Sequence, residues 1–312
     1  MSKNGLLYIP QYVTPAQKQQ ILQDLKRLYF PIWEKRFSEH NPPPEGSAQR
    51  WLLRPVYWLG NWQFACLNYY HPPKGIEYRC VQAEPFPPLL QRLVDDIESR
   101  VRNQFPEKDV PRQWHLNTCL INYYGSQPFR GNELSAGNTD RQVGRAAAED
   151  ESDTAPSKDS LSRALVPKLE DRARVGEHKD FEPGPVASIS FGEKALFQFV
   201  RSEGKNKKSE VVLQQWLEDS SLQIFGGDRF KKALFHRVQR VEDKSKKVFD
   251  VNTGDFLTRR INFTFRYVPT DHVQPLSRFP ATARSDVREY VEQLSSTSQF
   301  FANLKEEIYS GN

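Results

Sequence analysis

The side chains that could do chemistry fall in four short stretches. His178 and Asp180 stand two residues apart in VGEHKDF (Val175–Phe181), and His236 follows in KALFHRV (Lys232–Val238). Asn122 and Tyr124 stand two apart in LINYYG, while Arg260, Asn262, Thr264 and Arg266 take every second position of RRINFTFRYV. Alternate residues of an extended chain share a face, so each stretch presents its polar members together. Two imidazoles and a carboxylate on one side of an ion, with positions left open, are the ligand set of non-haem Fe(II) oxygenases. His178 and Asp180 would supply neighbouring ligands and His236, from a distant strand, the third. A 2-oxo acid could chelate such an iron through its carboxylate and keto oxygens and leave a place for dioxygen. In RRINFTFRYV the residues Ile261, Phe263, Phe265 and Tyr267 form an apolar face that must pack on something apolar. The arginines then point the other way, and if they are buried there they need anionic partners, which a small dicarboxylate would provide. A lone His-x-Asp or a lone His236 is weak evidence; the order and company of the four stretches carry the signal.

These residues need strands to hold them. The 312 residues, 38% hydrophobic and 12% aromatic, suit one large domain with appendages. A strand at Leu6–Ile9 is followed by a Thr14-Pro15 start signal and a helix with Ile21, Leu22, Leu25 and Leu28 on one face. A second helix, opened by prolines, is expected from Pro87 to Val101. Strand patterns begin near Asn117 and resume at Val186–Phe191, Ala195–Val200, Val211–Trp216, Leu222–Phe225, Ala233–Val238, Lys247–Val251 and Ile261–Val268. Residues 126–177 hold a long run with almost no large apolar side chain, which reads as a polar insert. Ser285 caps a helical tail with Tyr290, Val291 and Leu294 at helical spacing. The chain is therefore expected to be α+β and mainly β. The expected parts are N-terminal helical support over residues 1–116, an antiparallel double-sheet core over 117–268 and a helical extension over 269–312.

The 44 Lys+Arg against 39 Asp+Glu give a formal charge of +5, which suits a polyanionic partner without requiring one. Cys66, Cys80 and Cys119 are odd in number and far apart, so a reducing, intracellular setting is expected, cytoplasmic or nuclear. No stretch approaches the apolar length of a membrane span.

The ordered set of Asn-x-Tyr, His-x-Asp, His and Arg-x-Asn-x-Thr-x-Arg resembles the AlkB family of Fe(II)- and 2-oxoglutarate-dependent dioxygenases. The resemblance covers about Asn117 to Arg266, interrupted by the insert; RRINFTFR is its most specific part, supported by ASISFGEKALFQF. It implies a double-stranded β-helix, or jelly roll, with His178, Asp180 and His236 as iron ligands. It further implies that Arg260 pairs with the distal carboxylate of 2-oxoglutarate, that Arg266 lies by its chelating end, and that Asn122, Tyr124 and Asn262 hydrogen-bond it. The implied reaction consumes dioxygen and 2-oxoglutarate, produces succinate and carbon dioxide, and hydroxylates an N-alkyl carbon that is lost as formaldehyde. Glu182 falls where the family often has an acid that touches the target base.

Nucleic acid, DNA or RNA, is the leading expected partner, because a base that leaves its stack needs aromatic walls. Val56 to Arg79, with Tyr57, Trp58, Trp62, Tyr69, Tyr70 and Tyr78, occupies the place of the family's nucleotide-recognition lid, and Tyr69 and Tyr70 look most like a loop surface. Of two basic clusters, Arg201–Glu210 reads at Gly204–Lys208 as a hairpin tip kept soluble by charge, whereas Arg229, Lys231, Lys232, Arg237 and Arg240, with Arg237 beside the distal His, are expected to form a phosphate track. The polar insert could close over the substrate or bind a protein. A protein or small-molecule hydroxylase and a non-catalytic nucleic-acid-binding module are the alternatives.

Overall fold

The computed structural model describes residues 5–35, 52–62, 80–128, 169–201, 209–239, 241, 244–279 and 281–309. In chain order its strands are β1 (Leu6–Ile9), β2 (Ile32–Lys35), β3 (Leu52–Leu59), β4 (Asn61–Trp62), β5 (Val81–Gln82), β6 (Thr118–Pro128) and β7 (Leu169–Asp171). They continue as β8 (Val175–His178), β9 (Val186–Gly192), β10 (Ala195–Arg201), β11 (Glu210–Leu217), β12 (Ser221–Phe225), β13 (Phe235–Gln239) and β14 (Leu257–Arg266). The major sheet runs β1-β12-β9-β14-β6-β3-β2, with β7 added on β6, and the minor sheet runs β11-β10-β13-β8. Every pairing in both is antiparallel. The result is a double-sheet core of the jelly-roll type.

Two helices cover the outer face of the major sheet. Helix α1 (Pro15–Arg27) starts in a reciprocal box, in which Thr14 Oγ1 accepts from the Gln17 amide and the Gln17 side chain accepts from the Thr14 amide. Helix α2 (Pro88–Gln104) has proline at its first position and buries Leu90, Leu93, Val94, Ile97 and Val101 along one stripe. Against these side chains pack Ile261, Phe263 and Phe265 of β14 and Ala187, Ile189 and Phe191 of β9. The period of two then forces Arg260, Asn262 and Arg266, with Ser188 and Ser190, onto the face that meets the minor sheet. There a second core forms from Val186, Phe197, Phe199, Phe225, Phe230 and Val238. One end of the sandwich interior is therefore aromatic and the other is charged and buried.

Several expectations change. Tyr57, Trp58 and Trp62 are only 2%, 5% and 4% exposed and belong to the core, because Leu52–Leu59 is a strand of the major sheet paired with β6. They are not part of a nucleotide-recognition surface; Tyr69, Tyr70 and Tyr78 lie outside the described residues. The strands on either side of residue 117 share one sheet, so no structural break falls there. Lys247–Val251 is not a strand: Phe249 makes a single backbone bond to Thr258, and Val248 is 52% exposed. The tail forms α3 (Ala281–Ser295) and α4 (Gln299–Tyr309), so Ser285 lies inside a helix rather than at its cap. The ends of the polar insert are ordered as the β6–β7 ladder, Ser126 opposite Asp171 and Pro128 opposite Leu169, and its middle lies outside the described residues. Among the described residues no helix is long and apolar enough to cross a membrane.

Gly125 gives a test of the central pairing. A Cβ on Gly125 would lie 1.9 Å from the Leu257 carbonyl oxygen, beside the bulge between Thr258 and Arg260. Gly125→Ala must push β6 off β14, and is expected to destabilise by about 2–3 kcal/mol. Urea denaturation checks this, and an unchanged midpoint would show that the two strands can part freely.

Candidate metal centre and the basic pocket behind it

His178 ends β8, and His236 sits directly opposite it on β13, a cross-strand pair whose ring centroids are 4.1 Å apart. Asp180 follows in the loop after β8 rather than on the strand itself, as the extended reading had placed it. One donor atom from each of His178, Asp180 and His236 lies within 4.8 Å of the others, so a single ion can reach all three. The His178 Nδ1–H donates to the Gly176 carbonyl at 2.8 Å, which fixes the tautomer whose lone pair is on Nε2, the form a metal ligand needs. His236 is stacked on Phe197 at 5.3 Å and flanked by Phe225 at 5.1 Å. Burial, then the neighbouring His178, pushes the His236 pKa down to about 3, and burial lowers that of His178. Both rings are thus neutral donors near neutral pH.

Burial alone would raise the Asp180 pKa, but the Arg266 guanidinium beside it, first among the opposing charges, holds it well below the usual carboxylate range. Arg266 donates to Asp180 Oδ1 through Nε at 2.9 Å and Nη2 at 2.8 Å. Asp180 Oδ2 is buried without a hydrogen-bond partner and lies 3.4 Å from His236 Nε2. A carboxylate with one oxygen clamped and the other orphaned toward two neutral imidazoles fits a divalent cation.

A second unmet demand lies on the same side of β14. Arg260 is 3% exposed; its Nη2 donates to Ser190 Oγ at 3.1 Å, while Nε and Nη1 have no hydrogen-bond partner. Its guanidinium lies 4.7 Å from the centre of the Tyr124 ring, the residue paired with it across the sheet. Burial lowers the Arg260 pKa, with Tyr124 opposing. A buried cation with two unsatisfied donors calls for an anion, and the planar fork suits a carboxylate. Asn122, 4% exposed, accepts from Arg54 Nη1 at 3.1 Å. Asn262 is committed elsewhere: its Nδ2 donates to Ser188 Oγ at 2.7 Å and Ile189 O at 3.1 Å, and its Oδ1 accepts from Thr264 Oγ1 at 2.8 Å. Its amide is thus satisfied by protein, so it orients the serine rather than standing ready for a ligand.

Glu182 is 5% exposed and lies 3.5 Å from Arg266 Nε. It lines a cavity of about 280 Å³ with Cys80, Phe181, Pro183, Val268, Pro269 and His272, a largely apolar chamber along the loop that follows Asp180. Arg237 does not face the site. It lies on the opposite face of β13 from His236, paired with Glu177 Oε1 at 2.6 Å and Gln198 Oε1 at 2.9 Å. Of the other residues expected to form a phosphate track, Arg229 is exposed, Lys232 pairs at the surface with Asp228, Lys231 is buried, and Arg240 lies outside the described residues. In the other basic cluster Arg201 pairs at the surface with Glu210, and residues 202–208 lie outside the described residues. Tyr69 and Tyr70 also fall outside them. Sequence reasoning missed Arg54, whose guanidinium lies 5.1 Å from the Tyr124 ring centre, and missed that Lys231 points inward.

A family model described as the 2OG-Fe(II) oxygenase superfamily matches residues 5–133 and 137–266, most of the chain. No curated protein matches the sequence. Among solved structures, that of OsALKBH1 is similar at 18% identity and a TM-score of 0.43, covering 86% of this chain and all of that one. YcfD, a ribosomal oxygenase from Escherichia coli solved with cobalt and succinic acid, is similar at 13% identity and a TM-score of 0.20, covering 44% of this chain and 39% of that one. With its His-Asp-His trio drawn together in a jelly-roll core, the chain belongs to the 2OG-Fe(II) oxygenase superfamily, whose members work with Fe(II), 2-oxoglutarate and dioxygen.

Proposed function

We propose that this dioxygenase is an AlkB-type oxidative N-demethylase acting on alkylated bases of nucleic acid. His178, Asp180 and His236 hold the Fe(II). Arg260, backed by Ser190 and Tyr124, receives the distal carboxylate of 2-oxoglutarate. Arg266, already bound to Asp180, lies at the chelating end, and Asn122 and Tyr124 complete the polar wall. With iron, 2-oxoglutarate and dioxygen bound, the chemistry supplied is conversion of a substrate C–H to C–OH as 2-oxoglutarate becomes succinate and carbon dioxide. The chain's own contribution is placement. Arg266 keeps Asp180 ionised, the Gly176 carbonyl fixes the His178 tautomer, and Phe197 and Phe225 shield His236 from water. A hydroxylated N-methyl group then leaves as formaldehyde and returns an N–H to the base.

The observation that carries the nucleic-acid reading is the chamber beside Glu182. Its Phe181, Pro183, Val268 and Pro269 walls suit the face of a flipped base, with a carboxylate to meet a base N–H. The test is incubation of the iron-loaded protein with 2-oxoglutarate and methylated oligonucleotides, single- and double-stranded, DNA and RNA. Loss of one methyl mass supports the reading; succinate formed with no oligonucleotide demethylated points to a protein or small-molecule substrate. Arg54→Ala is expected to raise the KM for 2-oxoglutarate about threefold to tenfold, because it frees Asn122 and thins the charge over Tyr124. Steady-state kinetics at varied 2-oxoglutarate decides it, an unchanged KM removing Arg54 from the pocket.

A further inference from the structure

Arginines packed on the two sheets are matched to acids. Arg266 is paired with Asp180, Arg259 with Glu193 and Asp171, and Arg237 with Glu177. Arg54 and Arg260 depart from this: among the described residues, neither has a carboxylate within ion-pair distance. A guanidinium held in place without an acid is open to an anion from outside the chain. For Arg260 that anion is the distal carboxylate of 2-oxoglutarate. Arg54 needs another.

The strand order β14-β6-β3 sets Arg260, Tyr124 and Arg54 side by side on three neighbouring strands. The two guanidinium carbons lie 4.7 and 5.1 Å from the Tyr124 ring centre, so two like charges share one ring in a weakly screened place. Arg54 Nη1 donates to Asn122 Oδ1 at 3.1 Å, a single neutral acceptor for a group that carries five N–H donors. Among the described residues no acceptor takes the edge formed by Nε and Nη2. Arg260 is 3% exposed, whereas Arg54 is only half-buried. That remaining edge can therefore meet a ligand that stays partly in solvent.

The cosubstrate cannot supply the missing anion. 2-Oxoglutarate has two carboxylates, one at the chelating end beside Arg266 and one on Arg260, and none is left for a third guanidinium. An alkylated base is neutral or cationic and its sugar is neutral. The anion that a nucleic acid brings is its phosphodiester, and two of its oxygens match the planar edge of an arginine.

We infer that Arg54 is a phosphate-binding residue for the substrate strand, gripping one backbone phosphate close to the base that enters the site. This rests on the nucleic-acid reading above. Arg54 then touches both ligands' surroundings: it orients Asn122 on the cosubstrate side and holds the strand on the other.

The experiment uses the full chain with Mn(II) and N-oxalylglycine, the latter saturating for each protein, and a fluorescent single-stranded oligonucleotide with or without one 1-methyladenine. Anisotropy gives affinity between 50 and 200 mM salt. Arg54→Gln removes the charge and can still donate to Asn122. It is expected to lower the slope of log affinity against log salt by about 0.7, the share of one phosphate on a single strand. It weakens the methylated and unmethylated strands alike, by about tenfold. Arg54→Lys keeps the slope but loses the fork, and binds about threefold less tightly than wild type. Neutral methylphosphonates placed one at a time around the methylated base find a position that reproduces the wild-type loss and adds nothing in Arg54→Gln. A merely structural role would weaken binding without moving the slope, and its losses would add to those of every methylphosphonate. Where Arg54→Gln fails to fold, Arg54→Lys decides the matter, an affinity equal to that of wild type overturning the inference. If strands bind and are demethylated while Arg54→Gln changes only the KM for 2-oxoglutarate, Arg54 belongs to the cosubstrate pocket and the inference falls alone. If wild type neither binds nor demethylates any oligonucleotide, the nucleic-acid reading fails and takes this inference with it.

Discussion

Asp180→Ala abolishes turnover and also loosens the fold, whereas His178→Ala abolishes turnover and leaves the fold nearly intact. Both remove a donor from the trio whose atoms lie within 4.8 Å of one another, and loss of either is expected to lower kcat/KM by at least about a thousandfold. They differ in what each leaves behind. Asp180 Oδ1 takes both Nε and Nη2 of Arg266, which is 7% exposed, and its loss strips that buried guanidinium of this close carboxylate. Breaking a buried ion pair from one side costs about 3–5 kcal/mol. His178 loses a backbone hydrogen bond and its contact with the His236 ring, worth about 1–2 kcal/mol. Succinate release and thermal melting of the metal-free proteins check the pair together. Equal melting temperatures for the two variants would mean that Arg266 finds another anion in the pocket, and residual turnover in either would remove that residue from the metal.

Much of this site could be read because strands report their faces through a period of two. Ile261, Phe263 and Phe265 declare the apolar side of β14, and all three are essentially inaccessible to solvent. Once that side is fixed, the position of Arg260 and Arg266 follows. The same rule held the answer to Arg237: a His236 that faces the interior puts its neighbour on the outer face, where Glu177 takes it. Proximity in sequence to a ligand outweighed alternation in that reading, and alternation was the better physical guide. The helices were equally legible, since Thr14, Pro15 and Pro88 are local signals that need no tertiary context.

What was hidden depends on contacts far apart along the chain. Arg54 reaches Asn122 across 68 residues, on a strand whose Tyr57 and Trp58 read as a lid because aromatic density alone does not separate a core from a binding surface. Lys231 looked like one member of a solvated basic run. Only the π-turn, which carries no sequence signature, rotates it inward while Arg229 and Lys232 stay outside. The apolar residues of Lys247–Val251 imitate a strand, yet no neighbour offers them a continuous ladder.

Arg260→Met is expected to stabilise the ligand-free protein while crippling it as an enzyme. In wild type two guanidinium nitrogens of Arg260, Nε and Nη1, are buried without a hydrogen-bond acceptor, and a buried donor left so costs about 1–3 kcal/mol. Methionine fills a similar length and carries no donor, so the penalty disappears; the losses are one bond to Ser190 and the ring contact with Tyr124. The net change in the absence of ligand is expected to be a gain of about 1–2 kcal/mol. With 2-oxoglutarate and Mn(II) present the order reverses, because wild type gains stability in proportion to ligand occupancy and the variant barely binds. The KM for 2-oxoglutarate should rise at least about a hundredfold, the loss of a charged bidentate contact in a buried site. Thermal denaturation of both proteins with and without the ligand pair measures the crossing directly. If Arg260→Met melts below wild type even without ligand, then Arg260 holds the sandwich together, and its unpartnered donors are not reserved for a carboxylate. The crossing itself would mean that the chain keeps an unsatisfied cation in its interior, at a loss of stability, so that one small dianion can satisfy it beside the metal.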